Sequence, residues 1–152
     1  MRWGVVLLWA FAVFAAADAA ADTPRQGGLS DAVQIRVWSV HATNKTNQMD
    51  ERLGRVAKHL KSLSYSGFEL LQKDAAGVSV KGARRFQIAG DRTVRVTVLS
   101  RNDKRSRVRV QVKSAKGALL DTTVSIRRNG FFIVAGPRYK GGILVLPIFA
   151  RY

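Results

Sequence analysis

This chain of 152 residues contains no cysteine. Disulfides, thiol nucleophiles, thiolate metal sites and an acylated lipobox cysteine are all excluded, so the hydrophobic core must carry stability by itself. Histidine is nearly as scarce: His41 and His59 stand alone, with no H-E-x-x-H or H-x-x-E-H spacing around them. Both read as surface or cap residues rather than as metal ligands joined by Asp50 or Glu51, and no metal or other cofactor is expected. Acids are the third shortage, 10 against 26 lysines and arginines, for a net charge of +16. Acid–base catalysis by carboxylates needs two of them close together. Asp50 and Glu51 suit a helix start, while Asp31, Asp74, Asp91 and Asp103 fall in expected loops, leaving only Glu69 and Asp121 inside strands. There is no G-x-S-x-G elbow, P-loop or G-x-G-x-x-G run. No catalytic residue is assigned, and the expected protein is not an enzyme.

Long apolar runs are missing too, except at the start. Met1-Arg2 is followed by an apolar stretch from Trp3 to Phe14 and a small-residue stretch from Ala15 to Ala21, broken by Asp18. That is the layout of a secretory signal peptide over residues 1–21, with A-x-A sites ending at Ala17, Ala19 or Ala21. A membrane span needs about 20 apolar residues, more than are available here. Cleavage would remove Arg2 and Asp18, one charge of each sign, and leave the net charge unchanged. The expected destination is export, periplasmic or secreted. Export without cysteine fits a bacterial envelope better than a disulfide-stapled eukaryotic domain. Asn44-Lys45-Thr46 reads as a polar loop triplet rather than a glycosylation site. The anions abundant in an envelope are lipid headgroups, lipopolysaccharide phosphates and wall polymers, so nucleic acid is not the expected partner.

Residues 22–31 read as a flexible lead-in, with a single β-rich domain over residues 32–152. Val33, Ile35 and Val37 alternate with Gln34, Arg36 and Trp38, predicting a strand that ends near His41. Leu53, Val56, Ala57, Leu60 and Leu63 then mark one face of a helix capped by Asn47 or Asp50. Strands are expected at Phe68–Gln72, Val78–Val80, Phe86–Ile88, Thr93–Arg101, Arg107–Lys113, Leu120–Arg128, Phe131–Ala135 and Ile143–Ala150. A turn is expected at Asp74-Ala75-Ala76-Gly77, and a type I′ hairpin at Asn129-Gly130. Pro147 suggests an edge or a bulge in the last strand. The expected fold is α+β, mostly β: an antiparallel sheet or small β-sandwich with one packed amphipathic helix after the first strand.

The sharpest positive feature is a cationic strand pair. With Val94, Val96 and Val98 inward, Arg95 and Arg101 point outward; with Val108, Val110 and Val112 inward, so do Arg107, Arg109 and Lys113. The joining loop adds Lys104 and Arg105. Like charges at cross-strand spacing repel, so such a face is informative if an anionic partner covers it. Exposed arginines also protect strands from aggregation, which is the plainer reading. A secondary candidate is the loop holding Arg138, Tyr139 and Lys140 between glycines, otherwise a simple hairpin connection.

Val40-His41-Ala42-Thr43-Asn44, Asp50-Glu51-Arg52-Leu53 and Tyr65-Ser66-Gly67-Phe68-Glu69-Leu70-Leu71 resemble the front half of a family of small, uncharacterised exported bacterial proteins. Gly136-Pro137-Arg138-Tyr139 and Gly142-Ile143-Leu144-Val145 are similar to its final hairpin. The resemblance implies a compact exported domain and brings no activity with it. Three expectations result. The first is a non-catalytic binding or accessory domain whose basic face meets an anionic envelope component or an acidic protein, with at most peripheral membrane contact. The second is a structural subunit of an envelope assembly, recognised through its apolar last strand or a sheet edge. The third is a small outer-membrane β-barrel, suggested by the alternation of Leu144, Leu146, Ile148, Ala150 and the terminal Tyr152.

Overall fold

Period-two burial decides the first element. In β1, Ala32–Thr43, the side chains of Val33, Ile35 and Val37 are buried, while Gln34 and Arg36 are exposed on the opposite face. The computed structural model describes residues 32–152, so the expected signal peptide and lead-in lie outside the described residues. Seven more strands follow: β2 (Gly67–Ser79), β3 (Ala83–Ile88), β4 (Arg92–Arg101), β5 (Arg105–Ser114), β6 (Gly117–Arg127), β7 (Gly130–Tyr139) and β8 (Gly142–Arg151). They pair antiparallel in two four-stranded sheets, ordered β2-β1-β8-β7 and β3-β4-β5-β6. The fold is α+β, mostly β, a small sandwich with one helical segment after the first strand. Val94, Val96, Val98, Val108, Val110 and Val112 of the second sheet pack against Val33, Ile35, Leu144, Leu146 and Ile148 of the first. β-Branched valine suits this pleated, half-buried setting.

The helical segment is shorter than expected. Glu51–Val56 is a 3₁₀ segment and α1, Ala57–Leu60, adds one α-turn. Gly54 breaks the run at φ +49° and ψ −124°, a conformation that needs glycine. The apolar stripe nevertheless does its expected work. Leu53, Val56 and Leu60 are fully buried against Val40, Phe68, Leu70, Val145 and Phe149 on the outer face of the first sheet. That second core explains why Leu144 to Ala150 are buried on both faces of β8.

Asp50 is the cap. Its carboxylate accepts from the Arg52 amide at 3.0 Å and the Leu70 amide at 3.1 Å, and pairs with the Arg52 guanidinium at 2.6 Å. One side chain thus ties the helix start to β2. The Arg52 guanidinium, and secondarily those amides, hold the Asp50 carboxyl well below the usual carboxylate range. A depressed folded value means that Asp50 contributes stability above its ordinary value of 3.8, lost progressively as pH falls below it. Asp50→Asn should therefore lower the melting temperature by about 3–6 °C at neutral pH. The difference should shrink steadily in thermal melts taken from pH 4 towards pH 2. A difference that stays constant over that range would remove Asp50 as its source.

Several expectations are corrected. No turn interrupts β2 at Asp74 to Gly77: the strand continues, with Ala75, Ala76 and Gly77 paired to Arg36, Ile35 and Gln34. These small residues leave room beside long ones on β1. The Asn129-Gly130 turn is not a type I′ hairpin, since only Asn129 takes a positive φ there, 55°. It carries the chain from one sheet to the other, and β6 pairs with β5 while β7 pairs with β8. The two-residue turn with both φ positive is instead Lys140-Gly141, at 41° and 75°. Pro147 lies in a central strand. The β1–β8 ladder keeps its register but skips from Val37↔Ile148 to Val40↔Val145, where proline has no N–H to give. Because β8 is paired on both sides and buried, an assembly cannot recognise it from outside; the sheet edges are β2, β7, β3 and β6. Nor do the strands close into a barrel: ladders are missing between β2 and β3 and between β6 and β7.

Candidate anion-binding surface

The second sheet turns one face to the core and the other outward. Register places its outward residues in rows across the strands. One row reads Arg85, Arg95, Gln111, Asp121; the next reads Ala83, Thr97, Arg109, Thr123. On one side lies Gln87, Thr93, Lys113 and Ala118; on the other lie Ser100, Arg107, Ser125 and then the pair Arg105, Arg127. Two of these juxtapositions, Arg85 with Arg95 and Arg105 with Arg127, set like charges directly opposite each other, which is destabilising.

Asp121 is the single acid in these rows. It takes a bidentate pair from Arg109, at 2.8 and 2.6 Å, and a bond from Gln111 at 3.2 Å. The Arg109 contact lowers the Asp121 carboxyl below its ordinary range, and the carboxylate raises the Arg109 guanidinium in turn. Arg109 is therefore already neutralised on the face. Arg85, Arg95, Arg105, Arg107, Lys113 and Arg127 surround that pair, all exposed.

Of the expected residues, Arg95, Arg105, Arg107, Arg109 and Lys113 share this surface. Lys104 sits at its rim, in a turn closed by the Asn102 side chain, and its carbonyl accepts from the Arg128 amide at 2.8 Å. Arg101 is corrected. Leu99 is bulged out between Val98 and Ser100, so Arg101 pairs with the buried Ser106 on the core side of the sheet. Its guanidinium lies 5.1 Å from the centroid of the Tyr152 ring. Arg85 and Arg127 were missed. The alternations Phe86, Ile88 and Val124, Ile126 imply both of them, once β3 is allowed to begin before Phe86.

The secondary candidate is not a loop. Arg138 and Tyr139 belong to β7, and only Lys140 is in the turn. The Arg138 carbonyl accepts from Arg92 at 2.8 Å, the Lys140 ammonium lies 5.3 Å from the Tyr139 ring centroid, and His41 Nε2 donates to the Tyr139 carbonyl at 3.1 Å. Arg92, Arg138, Tyr139 and Lys140 border an open hollow of about 680 Å³. His41, cross-strand from Glu69, has that ring nitrogen engaged in holding β7. His59 sits on the other side of the first sheet, edge-on to Phe131 at 5.0 Å, so the two histidines cannot meet. Among the described residues no group of three or more His, Asp or Glu is placed to hold a metal.

No family model, curated protein or solved structure matches this chain. The surface must speak through its own chemistry.

Proposed function

We propose that the outer face of β3–β6 is a docking surface for an anionic component of the bacterial envelope, used in a binding or accessory role without catalysis. One observation carries the reading: an exposed strand face holds seven cations and one carboxylate, with arginines set against arginines. Such an arrangement opposes folding unless counter-charge covers it. Flat, repeated and charge-dense, the face suits lipid headgroups, lipopolysaccharide phosphates or an anionic wall polymer better than a small ligand. The signal-peptide pattern of residues 1–21 supports placing the protein among those polymers.

The test is retention of the chain from Asp22 onward on a panel, at low and at moderate salt. The panel holds phosphatidylglycerol and phosphatidylcholine vesicles, lipopolysaccharide, purified cell wall and a neutral polysaccharide. Retention is expected on anionic members alone, falling several-fold as the Debye length shortens from about 30 Å at 0.01 M to about 8 Å at 0.15 M. Retention that ignores salt, or that includes neutral members, would overturn the reading. An acidic protein partner would appear as a defined complex with no retention on the polymers.

A further inference from the structure

A second cationic site lies on the opposite side of the sandwich, and the docking face makes no use of it. On the outer face of the first sheet, Arg36 of β1 is paired with Phe149 of β8, and Gln34 with Arg151. Arg36 and Arg151 are thus diagonal neighbours on one face, within reach of long side chains. Arg55 approaches from the 3₁₀ segment, its guanidinium 5.7 Å from the ring centroids of both Phe131 and Phe149. Arginines from three separate elements border one hollow of about 330 Å³, with Phe149, Asn129 and strand backbone as the remaining wall. Among the described residues no carboxylate borders it, and the ion pairs Asp50–Arg52 and Asp121–Arg109 leave all three arginines out.

The geometry points to a binding site for a phosphate monoester or diphosphate group, held by the guanidiniums of Arg36, Arg55 and Arg151. A carboxylate is satisfied by one guanidinium in a bidentate pair. Three planar forks around one hollow suit an anion of higher charge with several oxygens in different directions. The hollow is at the small end of ligand sites, large enough for a phosphate and part of whatever carries it. Its aromatic side serves that remainder. Trp38, Phe149 and Phe131 form a row, with centroids 4.6 and 5.3 Å apart, and Arg55 rests on two of these rings. Holding Arg55 there before the ligand arrives reduces the ordering cost of binding. The site is independent of the docking face, so either can fail without the other.

The experiment is calorimetric titration of the chain from Asp22 onward with inorganic pyrophosphate at low salt. One saturable site per chain is expected. Arg36→Ala and Arg151→Ala should each weaken it by about tenfold or more, as loss of a charge-assisted contact does. Arg107→Ala, on the other sheet, should leave it within about twofold. Both cradle arginines are exposed, so unchanged thermal melts should accompany the loss. Absence of saturation, or an equal loss with Arg107→Ala, would overturn the site. Phosphatidate vesicles then separate the two sources of the phosphate, using a protein already carrying Arg105→Glu and Arg107→Glu. Retention that pyrophosphate displaces supports a lipid-borne phosphate in this site; an intact pyrophosphate titration without vesicle retention supports a soluble one.

Discussion

Reversing Arg105 and Arg107 together to glutamate should cut retention on phosphatidylglycerol vesicles by several hundred-fold at low salt. Each cation near an anionic surface contributes about 1 kcal/mol, and reversal replaces that attraction with a comparable repulsion. Two reversals amount to about 4 kcal/mol, or nearly three decades in the binding constant. The melting temperature should hold or rise slightly. Arg105 stands opposite Arg127, so a carboxylate at that position turns a repulsive cross-strand pair into an attractive one. Arg107 lies between Ser100 and Ser125, and among the described residues its side chain takes part in no ion pair that its loss would strand. Arg109 is the wrong residue to reverse, because Asp121 would lose its bidentate partner and gain a like charge. Near 1 M salt, with a Debye length of about 3 Å, variant and parent should bind equally weakly. Vesicle co-sedimentation across a salt series reads all of this. Retention that survives the double reversal at low salt would show that another surface does the binding.

Leu146→Ala should have the largest effect on stability. Leu146 is fully buried between the sheets, opposite Val134 on β7 and within the cluster that includes Val96 and Val110. Removing its side chain loses transfer free energy and leaves a cavity that strands on both sides cannot close, at a cost of about 3 kcal/mol. For a chain of this size that corresponds to a fall of about 10–15 °C in the melting temperature. Phe132→Ala is the companion measurement. Phe132 is 42% exposed despite its size, so its removal should cost less than half as much. Equal losses in the two variants would mean that the interior is not close-packed around β8. Retention on anionic vesicles per folded molecule should be unchanged, since neither side chain belongs to the docking face.

Much of this architecture could be read from residue order, and the failures have physical causes. Alternating valines located β4 and β5 because one face is dry and the other wet from Val94 to Val98 and from Ser106 to Val112. The helix stripe identified its buried face, since burial of Leu53, Val56 and Leu60 depends on spacing, whereas Gly54 decided how far regular helix could run. Small residues misled the reading of β2: Ala75, Ala76 and Gly77 look like a turn in isolation but fit beside Arg36 and Gln34 once β1 is there. Asn129-Gly130 looks like a hairpin because local chemistry permits one, while the choice of sheet for the next strand is made by distant partners. For the docking face, alternation found the arginines of β4 and β5. It misplaced Arg101, because a bulge at Leu99 shifts parity by one residue and no sequence signal marks it. The cradle of Arg36, Arg55 and Arg151 was out of reach for a different reason. Its members are far apart along the chain: the β1–β8 pairing brings Arg36 beside Arg151, and the 3₁₀ segment packed over Phe149 brings Arg55.

That pairing also sets an order of assembly. The β3–β6 sheet is a meander in which every ladder joins consecutive strands, so short loop closures are enough to build it. The other sheet draws β1 and β2 from one end of the described chain and β7 and β8 from the other, and Ile35 has to find Ala150. Loop-closure entropy makes this the late event, because the whole meander lies between the partners. The meander is expected to form first and offer its valine face as a template on which the two ends condense. Until β8 arrives, β1 lacks one ladder neighbour and the meander's valine face lacks the cover of Leu144, Leu146 and Ile148. During that interval self-association competes with folding most strongly.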